Sequence, residues 1–544
     1  MNRLLLSIIV VWSSTGLFAA QFYDSIKIVK KDGAVFSYPA SMMDSVACDK
    51  SEQELVLSIP RSEVLRFESP SVVPANEVQL YEGDEPSYFN TLHSITFSQS
   101  ANERLLHRDF TVYFDKSRKG TLVIPELTGT YSLMAELDTE GTHVFVNGKL
   151  SDKKVSLDCS KPIEFKISSF SGKVQTYTLE VRNSGLPVLS IGTVGSITTD
   201  WQEGCKFSST DGNVTFSETI AFRGRGGSFS EERKNNYGIK FESKQSLLGL
   251  PKGKRWILIS NGDDETLIRC RLALDLYKTY LNTTWSPKVS PCELVIDGKY
   301  QGSYLLAEQI RVTDERVPDG YILSIELEEE EDDDVFRSEI SKKIFVCQDP
   351  EAGSIGVRLF RTKEVVDDFE KLLFSENETD RKSALDMIDL NSFADWFILN
   401  EVAKNEKGFD DECYLVITAD KKIKMGPIWD LGGYFGNLDS EDVEGWAVKN
   451  TPWISRLLND EAFSNLVYQR FKKIYSSKES VMSLIEQYAG EMKSSLLADE
   501  MLHDNLKSTE NHSTSVLDSY QGEINILKEW LDARLNWLER SLRP

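Results

Sequence analysis

Lys424-Met425-Gly426-Pro427-Ile428-Trp429-Asp430-Leu431-Gly432-Gly433-Tyr434-Phe435-Gly436-Asn437 places one aspartate behind an apolar run and ahead of three glycines. An aspartate at the end of an apolar strand, followed by a glycine-rich turn, suits a Mg²⁺ ligand that faces a cleft. The same carboxylate also suits an Asx turn, in which it accepts N–H groups of its own loop. The stretch also marks a change of texture: strands and mixed elements dominate before it, and helical spacing dominates after it. Ile524, Leu527, Leu531, Leu535 and Leu538 recur at that spacing and predict a core-facing helix at the end of the chain.

Working upstream, Arg223-Gly224-Arg225-Gly226-Gly227-Ser228 is followed by Tyr237-Gly238-Ile239-Lys240-Phe241. A glycine-rich turn lets backbone N–H groups approach an anion, and a lysine on the next strand can reach phosphate oxygens. Arg225 and Lys240 are therefore the candidate cofactor-binding cations. The spacing matches neither a GxxxxGK[ST] loop nor a GxGxxG turn, so a basic hairpin fits it as well. Further on, the spacing predicts a helix over 265–281, with Asp263 and Asp264 placed to cap it. Asp297-Gly298 predicts a hairpin turn between Val295-Ile296 and Lys299-Tyr300. Glu328 to Asp334 is an unbroken acidic run and reads as a solvated loop; a calcium loop would need turn-forming residues between its ligands.

The first 187 residues read differently. Arg3, the apolar run Leu4–Trp12 and the small residues Ala19-Ala20 predict a signal peptide over 1–20, hence an exported protein: periplasmic, cell-surface or secreted. Residues 21–75 form a short β-rich segment. Over 77–185, strand-like runs recur about every ten residues with turns such as Asn147-Gly148, which predicts an Ig-like β-sandwich. No catalytic constellation falls in it, so it reads as a spacer or binding module. No later run is long and apolar enough for a transmembrane segment.

Composition narrows the partners. Over 544 residues, 62 Lys+Arg against 86 Asp+Glu leave a net charge of −24, which argues against nucleic acid as a ligand. The seven cysteines form no CxxC pair and the five histidines no HExxH, so catalytic zinc has no ligand spacing. Cys270 and Cys292 stand in apolar surroundings and read as buried thiols.

The ordered segments RGRGGS (223–228), YGIKF (237–241), LLGLPKGKRWILISNGDDETLIRCRLALDLY (247–277), ELVIDGKYQGSYLLAEQI (293–310), DWFILNEVAKN (395–405), KMGPIWDLGGYFGN (424–437) and EINILKEWLDARLNWLE (523–539) resemble the CotH kinase family. The resemblance covers residues 188–544. It implies an α+β, atypical two-lobed protein-kinase-like fold with a helical C-terminal part. It also implies ATP with Mg²⁺ (or Mn²⁺), and phosphoryl transfer to serine of secreted or surface proteins. By the same resemblance Lys240 pairs the ATP phosphates, Asp430 binds the metal, and backbone groups near Glu308 and Ile310 meet the adenine where a strand leads into a hinge. Two positions depart from the family. Lys407 stands where the family usually has an aspartate that orients or deprotonates the acceptor hydroxyl, and a protonated lysine cannot take that proton. Gly432 stands where a second carboxylate often follows the metal ligand. Glu406, Asp410 and Asp411 are the nearby carboxylates that could stand in. An exported protein kinase and a kinase-like pseudoenzyme acting as an interaction module both remain open.

Overall fold

A computed structural model describes the strands Ile26–Val29, Val35–Tyr38, Ser45–Asp49 and Glu54–Ser58, and residues 89–543 except 126–131, 170–171, 212–213, 227–228, 230–233, 315, 329–333, 351–354, 412, 438–441 and 501–512. The predicted signal peptide lies outside these residues, as does the acidic run apart from Glu328 and Asp334. Residues 1–85 and 86–544 pack as two units. In the first, β1 (Ile26–Val29) and β2 (Val35–Tyr38) pair antiparallel, as do β3 (Ser45–Asp49) and β4 (Glu54–Ser58).

The second unit opens with two sheets. One holds β5 (Leu92–Phe97), β6 (Phe110–Tyr113), β8 (Ser132–Thr139) and β11 (Lys154–Asp158) in the order β11-β8-β5-β6. The other holds β7 (Lys119–Ile124), β9 (His143–Val146), β10 (Lys149–Ser151), β12 (Ile163–Ser168) and β13 (Val174–Asn183) in the order β10-β9-β12-β13-β7. Strand β8 shows the rule that builds them. Its residues alternate strictly between exposed and buried, so Leu133, Ala135 and Leu137 join Ile95, Phe165, Ile167 and Leu179 in one core.

Next comes a closed barrel of β14 (Val188–Gly192), β15 (Gln202–Asp211), β16 (Val214–Arg225), β17 (Asn236–Gln245), β18 (Gly253–Ile259), β19 (Val289–Ile296) and β20 (Lys299–Glu308), in the order β14-β15-β16-β17-β18-β20-β19. Closure pairs β14 parallel to β19; the other neighbours are antiparallel. Tyr237, Ile239 and Phe241 point inward with Trp256 and Leu258. Arg223, Arg225, Gly238 and Lys240 therefore occupy the outer face. The β19–β20 turn has Asp297 at φ 50° and Gly298 at φ 76°, the type I′ geometry that its residues predict.

A five-stranded sheet follows: β21 (Tyr321–Glu326), β22 (Val335–Arg337), β23 (Ile344–Asp349), β24 (Cys413–Ile417) and β25 (Ile423–Met425), ordered β22-β23-β21-β24-β25. The helices are α1 (Arg269–Leu276), α2 (Ile355–Leu373), α3 (Glu378–Asp386), α4 (Leu390–Ala403), α5 (Pro452–Leu457), α6 (Glu461–Tyr475), α7 (Lys478–Glu500) and α8 (Ser513–Ser541). The mixed α+β class agrees with the sequence reading. Ile524, Leu527, Leu531, Leu535 and Leu538 of α8 are fully buried, as their spacing predicts. Helices α7 and α8 pack on β7, and Lys234, itself buried, pairs with Asp499 of α7 at 2.7 Å, so barrel, sheets and helices share one body.

Three local expectations change. The helix predicted over 265–281 is α-helical only from Arg269 to Leu276 and continues as a π-helical turn, Tyr277–Leu281. Residues 264–267 instead form a turn, in which the Asp264 carboxylate accepts N–H bonds from Thr266 and Arg269 and pairs with the Arg269 guanidinium at 2.5 Å. Asp430 does not end a strand: β25 stops at Met425, and a cis Gly426-Pro427 bond intervenes. Asp334 is not a solvated residue of the acidic run, because Arg358 holds it at 2.6 Å. The six described cysteines are unpaired and buried, Cys270 and Cys292 among them.

Candidate functional site

Two loops meet at the centre of the second unit. The first leaves α4. The helix stops because Lys404 turns left-handed (φ 54°), and Asn405 then folds back: its N–H donates to the Asn400 carbonyl and its side-chain amide to Asn400 Oδ1. Asn405 Oδ1 accepts the N–H of Lys407, and the Lys407 carbonyl accepts the N–H groups of Asp410 and Asp411 at 2.8 and 3.0 Å. Gly408 is closely packed here: a Cβ would lie 2.5 Å from Asn400 Oδ1, which the Asn405 amide holds in place. Phe409 anchors the loop from below against Trp396 and Trp453.

The second loop carries Asp430. The Phe435 N–H donates to the Ala403 carbonyl, which ties this loop to the end of α4. The Asn437 amide donates to the carbonyls of Asp263 and Gly432, tying it to the turn before α1. Gly436 (φ 77°) packs on the Trp530 ring, with no room for a side chain. Asp430 itself has positive φ, an uncommon backbone for a non-glycine residue. Burial pushes its carboxyl pKa up. The Gly432 N–H, the Arg225 guanidinium and the Cys270 thiol oppose that shift, and Asp263 adds to it. The Gly432 bond is the Asx turn considered above, so one carboxylate both shapes the loop and faces the cavity.

Between the loops is a small cavity of about 70 Å³, lined by Asn400, Asn405, Asp411, Trp429, Asp430 and Tyr434 among others. Lys407 is exposed and does not line it. Of the carboxylates that could replace an aspartate at 407, Glu406 is exposed and 3.9 Å from Lys404, and Asp410 pairs with Lys343. Asp411 lines the cavity with Asp430. Sequence reasoning named Asp411 only as one of three choices and passed over Asn400 and Asn405. Their signal was present in the Asn-x₄-Asn pair closing an apolar helix, a pattern that supplies local side-chain caps.

The barrel contributes its outer face. Arg225, at the end of β16, lies over the Trp429 ring with its guanidinium carbon 5.7 Å from the centroid, and it is the cation that acts on Asp430. Lys240 is not in the same cavity. Arg225 pairs with Asn236 across the strands, and Lys240 lies four residues on, ~13 Å along the strand. There it faces Glu203 at 3.5 Å and lines a groove of about 710 Å³ with Lys244, Lys252, Lys254, Arg255 and Arg311. Trp201 lies between the two places, with Arg223, Arg255 and Lys240 at 4.6, 5.7 and 5.8 Å from its ring. Its ring also approaches Gly238 so closely that a Cβ there would lie 3.1 Å away. Nothing in the spacing around Trp201 pointed to this role.

Glu308 and Ile310 are both buried. The Glu308 side chain accepts from the Lys288 N–H and pairs with Arg316, while its own N–H donates to the Lys288 carbonyl. The neighbouring Gln309 carbonyl accepts from Arg316. These groups hold the end of β20 in place, and the Glu308 N–H is committed to the ladder rather than open to a base.

The donors fit Mg²⁺ only in company. Among the described residues no three His, Cys, Asp or Glu converge. Mg²⁺ commonly takes one or two carboxylates together with substrate phosphates and water, and Asp430 can be the single carboxylate of such a set.

No curated protein matches the chain. The profile of the CotH kinase protein family matches residues 221–538, more than half of the sequence, from the middle of β16 to the last turns of α8, and so spans both loops and the barrel face opposite them. The chain belongs to the CotH kinase family.

Proposed function

We propose that this protein is an exported kinase of the CotH type that moves the γ-phosphate of ATP to a serine of a secreted or surface protein. The barrel and the helical region act as the two lobes. The observation that carries the reading is Asp430: a part-buried carboxylate at positive φ, on a loop tied to α4 and to the turn before α1, with Arg225 across from it. Asp430 would hold Mg²⁺, and the ion would offset charge on the phosphates. Arg225 would meet the phosphate oxygens, since a guanidinium presents several donors in one plane. Lys240 lies too far along β17 to share that contact with Asp430, and it serves the other end of the nucleotide, in the groove with Arg255 and Arg311. The module of residues 89–183 is a spacer that carries the kinase region.

A kinase-like interaction protein is the second reading. It is favoured by Lys407, a cation where the family usually has its acceptor-facing carboxylate, and by Gly432, which supplies no second metal ligand. The test is incubation of the full chain with labelled ATP and Mg²⁺ or Mn²⁺, read as self-labelling and as labelling of serine-rich acceptors. The kinase reading expects labelling that Asp430→Asn abolishes. A silent wild type beside an active Lys407→Asp variant would establish the interaction-protein reading.

A further inference from the structure

The cavity between the two loops holds a second carboxylate whose position needs a use. Among the described residues, three acidic side chains stand around the Lys407 turn, and the fold treats each differently. Glu406 points to solvent near Lys404, 3.9 Å away. Asp410 is bound to Lys343. Asp411 is one of the residues that line the cavity, as are Asp430, Asn400 and Asn405. Its N–H donates to the Lys407 carbonyl, so the turn holds its backbone, and the residue is exposed where it lines the cavity. Lys407 thus builds the turn with its carbonyl and leaves the cavity with its side chain.

We propose that Asp411 is the catalytic base of this protein, replacing by a shift of four residues the carboxylate that Lys407 lacks; this rests on the kinase reading above. Phosphoryl transfer needs a group that accepts the proton of the attacking hydroxyl, placed on the far side of the phosphate from its leaving oxygen. In the step, the serine Oγ forms a bond to the γ-phosphorus of ATP. The bond from that phosphorus to the β,γ-bridging oxygen breaks and ADP leaves with its electron pair. The Oγ proton passes to Asp411. Asn400 and Asn405, locked to each other, position the turn; they touch no reacting atom.

The test uses the full chain in four forms: wild type, Asp411→Asn, the double variant Asp411→Asn with Lys407→Asp, and Glu406→Gln. Each is read twice, as the melting-temperature shift on adding Mg²⁺ and ATP and as label transferred from ATP. The inference expects all four to keep the ATP-induced shift. It expects Asp411→Asn to lose about a hundredfold or more in labelling, the usual worth of a positioned base. It expects the double variant to regain labelling and Glu406→Gln to label as wild type does. Asp411→Asn labelling at the wild-type rate with its shift intact overturns Asp411 and leaves the kinase reading standing. A wild type that shows neither shift nor label overturns both.

Discussion

Glu401 and Asp430 are two acids of one neighbourhood, and the fold treats them in opposite ways. Glu401, at the end of α4, is fully buried. Its carboxylate accepts the N–H groups of Ala447, Val448 and Lys449 at 2.9–3.0 Å and the Arg534 guanidinium at 2.9 Å. Arg534 in turn donates to the carbonyls of Glu401, Val443 and Gly445. Burial still pushes the Glu401 pKa up, and it draws the Arg534 pKa down to about 10, so the guanidinium keeps its charge at neutral pH. Asp430 has one N–H, one thiol and a guanidinium across the cleft. A saturated carboxylate has no lone pairs left for a ligand, whereas an undersupplied one keeps that capacity at a cost in stability. Glu401 is therefore spent on architecture, while Asp430 keeps the capacity that the proposed metal role needs.

The largest expected effect strikes the architectural side. Arg534→Met leaves Glu401 buried without its counter-ion and should cost about 3–5 kcal/mol in urea unfolding. Asp430→Asn should change unfolding by no more than about 1 kcal/mol, because the carboxylate has little to lose. Equal losses would erase the distinction.

A third acid sharpens it. Glu293 of β19 is fully buried against α7, accepts from Tyr300 and Ser495 hydroxyls, and has one oxygen with no partner among the described residues. Burial lifts its pKa from 4.5 to about 7. Below pH 4.5 it is protonated folded and unfolded alike. From there to about 7 only the unfolded chain releases the proton, so the folded state loses stability as pH rises, and above 7 the deficit is constant. The span corresponds to ~3 kcal/mol. Glu293→Gln should flatten that part of the stability–pH curve, and an unchanged slope in chemical denaturation would rule out the assignment.

The smallest effect tests the missing carboxylate. A Cβ at Gly432 would sit 3.7 Å from Asp430 Oδ1, in ordinary contact, and the residue is not at positive φ. Gly432→Asp should therefore fold, with like-charge repulsion beside Asp430 lowering stability by about 1 kcal/mol in the metal-free chain. It should bind Mn²⁺ several-fold more tightly in the presence of ATP, read by titration calorimetry.

How much of this was legible in the sequence follows the range of the interactions. Strand β8 and helix α8 announce themselves, because burial on one face imposes a period of 2 or of 3.6 on neighbouring residues. The Asp297-Gly298 turn is equally local. Asp430 stood out because its loop needs glycines around it. The partners of these residues were not legible. Nothing near Lys240 says that it lies ~13 Å along the strand from the cation facing Asp430. Nothing near Glu401 says that Arg534 meets it, 133 positions away. Asp411 was visible only as one of three carboxylates, and the choice among them turned on Lys343, a residue of another strand region.

The account stands on Asp430 as the centre of a nucleotide–metal site. Calorimetric titration of ATP with Mg²⁺ into the full chain, wild type beside Asp430→Asn, measures this most directly. Saturable binding in the wild type, weakened at least tenfold, or about 1.4 kcal/mol, in Asp430→Asn is the predicted result. Equal affinity in the two proteins, or no binding to the wild type, would contradict it.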